Sequence, residues 1–155
     1  MAKKTDTDLL STMATDCLGF RVRRLNRIVS AYYDDGLRPF KAKLSQINLL
    51  IIVWRFENIT PTELSKIAQI DTSTLSRNLE RIIARGWIQS TPSADGRSYH
   101  LSVTTDGKKM LKKIYPAWKE AQKKTEKLLG NELVKDIKQL DMKLLKTAWL
   151  SGKKI

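Results

Sequence analysis

Between Ser73 and Arg85 the sequence places small hydroxyl residues and arginines opposite an apolar stripe. Turning each residue by about 100° around a helix axis puts Leu75, Leu79 and Ile82 on one side. Ser73, Arg77, Arg81 and Ala84 fall on the other, flanked by Thr74 and Ser76. An ordinary solvated face carries long side chains of both signs, whereas this one offers hydroxyls first and arginines after them. Small side chains let a helix backbone approach the floor of a nucleic-acid groove, and the fork of Arg77 can then reach guanine or phosphate. A helix N-terminus adds its own attraction for phosphate. Thr62 and Thr72, close to two adjacent helix starts, are counted with this polar surface.

Other chemistries find little support. With one cysteine and one histidine in 155 residues, no internal disulfide and no Cys/His zinc site can form. A Ser-His-Asp or Cys-His catalytic set would rest on His100 alone. Acids are scattered and no Gly-rich phosphate loop is present, so no catalytic residue, metal or cofactor is expected. The net charge of +13 and a pI near 10.0 favour polyanionic partners, nucleic acid before anionic membrane. All ten arginines lie at or before Arg97, whereas the last 48 residues carry 14 lysines, no arginine and 5 acids. Recognition is therefore expected in the first two thirds, and a general positive field from the last. The longest apolar run, Leu49 to Trp54, is far too short for a membrane span. The N-terminus has no signal-peptide pattern, so a cytoplasmic, nucleoid-associated protein is the expectation.

Hydrophobic periodicity predicts a mainly α fold with one small β-hairpin. One long helix is expected from Asp8 to Asp35, ended by Gly36. Ser45 is expected to cap a second helix, apolar nearly all round and therefore central and buried. Thr60-Pro61-Thr62-Glu63 is a capping-box start for a short helix with Leu64, Ile67 and Ala68 inside. Asp71 or Thr72 caps the next helix a few residues later, and Gly86 stops it. Two short helices joined by a tight turn, the second longer and basic, make a helix-turn-helix pattern. Trp87 to Thr91 and the alternating Ser98 to Val103 are expected to pair as strands. The turn between them, Pro92 to Gly96, places Arg97 where a wing enters a minor groove, with Asp95 positioned to hold its guanidinium. Thr104 or Thr105 then caps a long helix to about Leu129, bent near Pro116, its lysines expected to spread around the helix rather than onto one side. Gly130-Asn131 breaks it, and a last helix with Leu133, Ile137, Leu140 and Leu144 at four-three-four spacing runs to Leu150.

This order of elements resembles the MarR family of winged helix-turn-helix regulators. The likeness is carried by Leu64-Ser65-Lys66-Ile67-Ala68, by Asp71 through Arg81, and by Arg85-Gly86-Trp87-Ile88. It continues through Asp95, Arg97 and Leu101 through Gly107. The resemblance implies a homodimer built from the first and last helices, binding double-stranded DNA at a pseudo-palindromic operator. It implies major-groove contacts from Ser76 and Arg77 and a wing signature at Asp95 and Arg97. It also implies a small aromatic ligand bound between the dimerisation and DNA-binding parts, releasing a repressor. Residues 1–38 and 108–155 would form the helical dimerisation region, and residues 39–107 the winged DNA-binding domain.

Two alternatives remain open at this stage. One is a non-specific nucleic-acid-binding architectural protein, which would use the same charge without a defined reading helix. The other is a one-cysteine oxidation sensor of the same fold. Cys17 lies four residues before Arg21, which would favour its thiolate, but the helical register sets it beside Leu10, Ala14 and Leu18. It is therefore expected to be a buried packing residue. His100 is expected to face solvent or an adjoining helix. Trp54, Trp87 and Trp118 are expected in the core or at hinges, and Trp149 at a dimer interface.

Overall fold

The computed structural model describes residues 6–93 and 98–151, with side chains described as far as Lys143. It contains α1 (Asp6–Asp16), α2 (Leu18–Leu37), a 3-10 turn (Arg38–Phe40), α3 (Leu44–Phe56), α4 (Pro61–Ala68) and α5 (Thr72–Ala84). Strands β1 (Ile88–Pro92) and β2 (Tyr99–Val103) follow, then α6 (Thr105–Leu129) and α7 (Asn131–Ser151). The expectations for Leu144 and Trp149 concern side chains outside the described set, as do those for Asp95 and Arg97 at the hairpin tip.

The expected single N-terminal helix is two helices. Cys17 has extended backbone angles, φ −65° and ψ 101°, and its Sγ accepts the Phe20 N–H as an N-cap. The chain passes Gly36 in helical conformation and ends α2 at Leu37, with Gly36 facing α6. A Cβ there would lie 3.4 Å from the carbonyl oxygen of Ala117 on α6. Along this seam Tyr33 tilts against Trp118 at 6.3 Å, and Trp118 stacks on Tyr115 at 6.2 Å. The Tyr33 hydroxyl donates to Gln122, whose amide donates to Glu126. Burial pushes the Tyr33 phenol up from its ordinary value, so it stays a neutral donor.

Helix α3 starts at Leu44 rather than after a Ser45 cap. Lys43 is its N-cap, its backbone N–H donating to Gln46 Oε1 at 3.2 Å. The Leu44 N–H donates to Asp34 Oδ1 on α2 at 2.8 Å, a tertiary cap that fastens the helical arm to the winged unit. Ile47, Leu50 and Val53 are fully buried, yet Trp54 is 51% exposed and Ile51 and Phe56 also face outward. Helices α2, α4, α5 and α6 and strand β2 all pack against α3, yet the side with Ile51 and Trp54 is left bare. Of the other tryptophans, Trp87 is buried and Trp118 is half-buried against the core.

The core runs from Leu37 through Leu64, Leu75, Ile82 and Ile88 to Leu101 and Ile114. The hairpin is antiparallel, pairing Ile88 with Val103 and Pro92 with Tyr99, and Ser93 N–H to Ser98 O closes it at 2.9 Å. Leu101 is fully buried, while Tyr99 on the same side of the strand projects outward near the tip. The wing is fixed twice at its base. Leu101 N–H donates to Ile59 O at 2.8 Å, and half-buried His100 donates from Nδ1 to Asn58 O at 2.8 Å.

Thr104 caps α6, accepting the Gly107 N–H at 3.0 Å while its hydroxyl donates to Gly86 O at 2.5 Å. The helix continues through Pro116 to Leu129, and Gly130, with φ 77°, ends it. Its lysines lie on one arc rather than all round. Gly107, Ile114, Ala121 and Thr125 are buried, whereas Lys108, Lys109, Lys112, Lys113, Lys119, Lys123, Lys124 and Lys127 are exposed. The inward side is spent on packing against α2. Among the described residues no helix is long and apolar enough to cross a membrane.

Gly107 joins wing and arm at the closest approach among the described glycines. A Cβ there would meet Trp87 O at 2.2 Å and Val103 Cγ1 at 2.8 Å. Elsewhere in a helix, Gly→Ala gains about 0.5–1 kcal/mol. Here overpacking against backbone, about 1–3 kcal/mol or more, reverses the sign. Gly107→Ala should lower the thermal midpoint by several degrees, measurable by calorimetry; an unchanged or higher midpoint would contradict this packing.

Candidate nucleic-acid interface

Helices α4 and α5 form the helix-turn-helix. Thr60 caps α4 by accepting the Glu63 N–H at 3.3 Å, and Glu63 Oε2 accepts the Thr60 N–H at 2.9 Å and hydroxyl at 2.7 Å. The Thr60 N–H, then its hydroxyl, hold the Glu63 carboxyl below the usual carboxylate range. Pro61 is preorganised for the first position. Gln69 ends the helix in the left-handed region, φ 51°. The Ser65 hydroxyl donates to Ile70 O at 2.7 Å, and the Ile70 N–H donates to Ser65 O at 3.2 Å. A three-residue turn, Gln69 to Asp71, thus sets α5 against α4.

On α5, Leu75, Leu79 and Ile82 are buried and Asn78 is half-buried. The opposite side carries Ser73, Ser76, Arg77, Arg81 and Ala84, all exposed, with Thr72 and Thr74 at its edges. This matches the face derived from helical periodicity. Thr62, in the first turn of α4, is exposed as well. Arg77 and Arg81 form no ion pair with another described residue, so their guanidinium groups are available. Arg85 is spent internally, lying over the Trp87 ring at 4.9 Å. Glu80 shares the outward face and was not among the residues expected there. It sits four residues after Ser76, a spacing the same rotation detects once acids are considered; a carboxylate there can accept from a cytosine amino group.

The N-terminus of α5 departs from expectation. Its first turn is not a bare set of N–H groups, because the Asp71 carboxylate caps it. The carboxylate accepts the Thr74 N–H at 2.8 Å, the Ser73 hydroxyl at 2.6 Å and the Thr74 hydroxyl at 2.7 Å. The Ser73 hydroxyl above all, with the Thr74 hydroxyl and N–H, holds the Asp71 carboxyl far below the usual carboxylate range. A depressed pKa means the cap's contribution is present above the unfolded value, near 3.9, and is lost only as pH falls through the lower folded value. At neutral pH a fixed negative charge stands where an anion would otherwise dock.

Cys17 is exposed within the protomer, not buried. The helix ends at Asp16, so the side chains expected around it do not close over it, and Leu10 and Leu18 are themselves exposed. Arg21 donates to the Thr15 carbonyl, and the one polar partner of Sγ among the described residues is the Phe20 N–H at 3.4 Å. No tyrosine hydroxyl bonds to the thiol. Serine is among the preferred N-caps, so Cys17→Ser should raise stability by a few tenths to about 1 kcal/mol and Cys17→Ala should lower it. Urea titration measures both, and the reverse order would contradict the cap.

A two-helix reader with a hairpin fixed beside it, carried on long helical arms, defines a winged helix-turn-helix protein. The family model described as "MarR family" matches residues 43–99, which spans α3 through the start of β2. The chain is 27% identical over 133 residues to the "Multiple antibiotic resistance protein MarR" of Salmonella typhimurium, covering 84% of this chain and 91% of that protein. It is 28% identical over 105 residues to the Escherichia coli protein of that name, covering 67% and 72%. Among solved structures, wild-type MarR from E. coli in its apo form superposes with a TM-score of 0.67 at 25% identity, covering 83% of this chain and 96% of that one. A mutant E. coli MarR complexed with operator DNA gives a TM-score of 0.75 at 23% identity, covering 86% and 97%. Residues 43–99 thus match the MarR family model, and the chain is similar to MarR proteins over most of its length.

Proposed function

We propose that this chain acts as a homodimeric, sequence-specific DNA-binding regulator whose α5 helices enter successive major grooves of a pseudo-palindromic operator. The observation that carries this reading is the outward face of α5, small at its N-terminal end, with Arg77 and Arg81 exposed and without an ion pair among the described residues. Ser76 and Arg77 are the proposed base-contacting residues. Ser73, Thr72, Thr74 and Arg81 are placed beside them, and Thr62 at the flanking phosphates. The wing, with Asp95 and Arg97 at its tip, is proposed to reach the minor groove. Residues 39–107 would bind DNA, and residues 1–38 and 108–155 would pair the protomers.

Unpartnered apolar rows support the pairing. Leu9, Leu10, Met13, Leu18, Phe20 and Val22 on α1 and α2, and Leu133, Ile137, Leu140 and Met142 on α7, are exposed in the protomer. Two-fold association would place the two reading helices about one DNA turn, roughly 34 Å, apart. Likeness to the MarR family supports a repressor released by a small aromatic ligand, and a location at the nucleoid. Selection of genomic fragments by the purified protein, followed by release tests with phenolic compounds, tests the reading. One shared inverted repeat among the bound fragments supports it, and fragments without a common motif contradict it.

A further inference from the structure

We infer that Asp71 sets the base preference of α5 by fixing the hydroxyls of Ser73 and Thr74 as hydrogen-bond acceptors, so that these two positions select adenine or cytosine on the strand they face. The inference rests on the proposed reading of α5 as the groove-entering helix.

A serine or threonine hydroxyl carries one proton and two lone pairs. In this structure both protons are committed. Ser73 Oγ donates to Asp71 Oδ1 at 2.6 Å, and Thr74 Oγ1 donates to Asp71 Oδ2 at 2.7 Å. The acceptor is ionised, which makes such bonds roughly twice as strong as neutral ones. Both side chains are nevertheless exposed, so what they turn outward is lone pairs. In the major groove the complementary groups are the adenine N6 and cytosine N4 amino hydrogens. Guanine O6 and N7 and thymine O4 are acceptors. Meeting them would require a hydroxyl proton to leave the carboxylate, exchanging a charge-assisted bond for a neutral one. Without Asp71 the hydroxyls would rotate freely and read either class, so a donor-only Arg77 and two acceptor-only hydroxyls would cease to be distinct instruments.

The test compares wild-type protein with Asp71→Asn, Ser73→Ala and Thr74→Val, each as the full chain. Asparagine caps helices as well as aspartate, so Asp71→Asn should retain its helical circular dichroism and thermal midpoint. Its amide, however, offers one acceptor oxygen and an NH2 group, which frees at least one hydroxyl proton. Each protein is used to select duplexes from a random library. In the wild-type half-site, adenines are then replaced by purine and cytosines by 2-pyrimidinone, which lack the amino group. The expected result is one or two positions where amino removal weakens wild-type binding about tenfold. Those positions should coincide with the ones altered by Ser73→Ala or Thr74→Val. Asp71→Asn should lose most of that penalty and accept guanine or thymine there. Unchanged base preference in Asp71→Asn, or guanine or thymine at the positions sensitive to the hydroxyl deletions, would overturn the inference while leaving the DNA-reading role intact. A wild-type protein that selects no sequence would overturn that role and this inference together.

Discussion

Replacing Arg77 by alanine should weaken operator binding by about 1–3 kcal/mol, tenfold for each 1.4 kcal/mol or so, with little loss on random duplex. The sign and the selectivity both follow from position. Arg77 sits opposite the buried Leu75 and Leu79 and has no ion pair with a described residue, so removing it leaves the fold untouched. Its fork would otherwise satisfy two acceptors of one guanine, and that pairing exists only on the right sequence. Binding measured at one salt concentration on both DNAs checks this, since phosphate affinity is strongly salt-dependent. Equal losses on the two would reduce Arg77 to a phosphate contact.

A second large effect is expected far from α5. Ile137 and Leu140 on α7 are 40% and 54% exposed in the protomer, and burying such a side chain is worth roughly 1.5–3 kcal/mol. Ile137→Glu with Leu140→Glu would force carboxylates into the interface at a cost exceeding that gain. The double variant should sediment as a monomer with a native-like circular dichroism spectrum. It should bind a full palindrome about 10² to 10⁴ times more weakly, because the second half-site no longer profits from a tethered partner. A monomeric variant with wild-type operator affinity would show that pairing through α7 contributes nothing to recognition.

The outward face of α5 is legible in the sequence because one physical quantity, burial of Leu75, Leu79 and Ile82, imposes the helical register and thereby the direction of Arg77. The Thr60–Glu63 box, Gly86, Thr104 and Gly130 were legible for a similar reason, each acting through its own backbone neighbours. Failures came where a distant group intervened. Leu44 rather than Ser45 begins α3 because Asp34 reaches over from α2, and no local pattern announces that. An α3 apolar on every side predicts a buried Trp54, but the elements packed on α3 leave the side of Ile51 and Trp54 uncovered. The break at Cys17 escaped notice because cysteine is a rare cap within an otherwise periodic run. Asp71 is a cap by its position, yet its capture of two hydroxyls depends on side-chain rotamers that no sequence pattern encodes.

Helix α5 is expected to read sequence rather than to supply charge alone. The affinity of the wild-type dimer for its selected operator, divided by its affinity for a shuffled duplex of equal length at physiological salt, measures that directly. A ratio of about 10³ or more is predicted. A ratio near one, with both affinities falling together as salt is raised, would contradict it and leave a basic protein that binds nucleic acid without reading it.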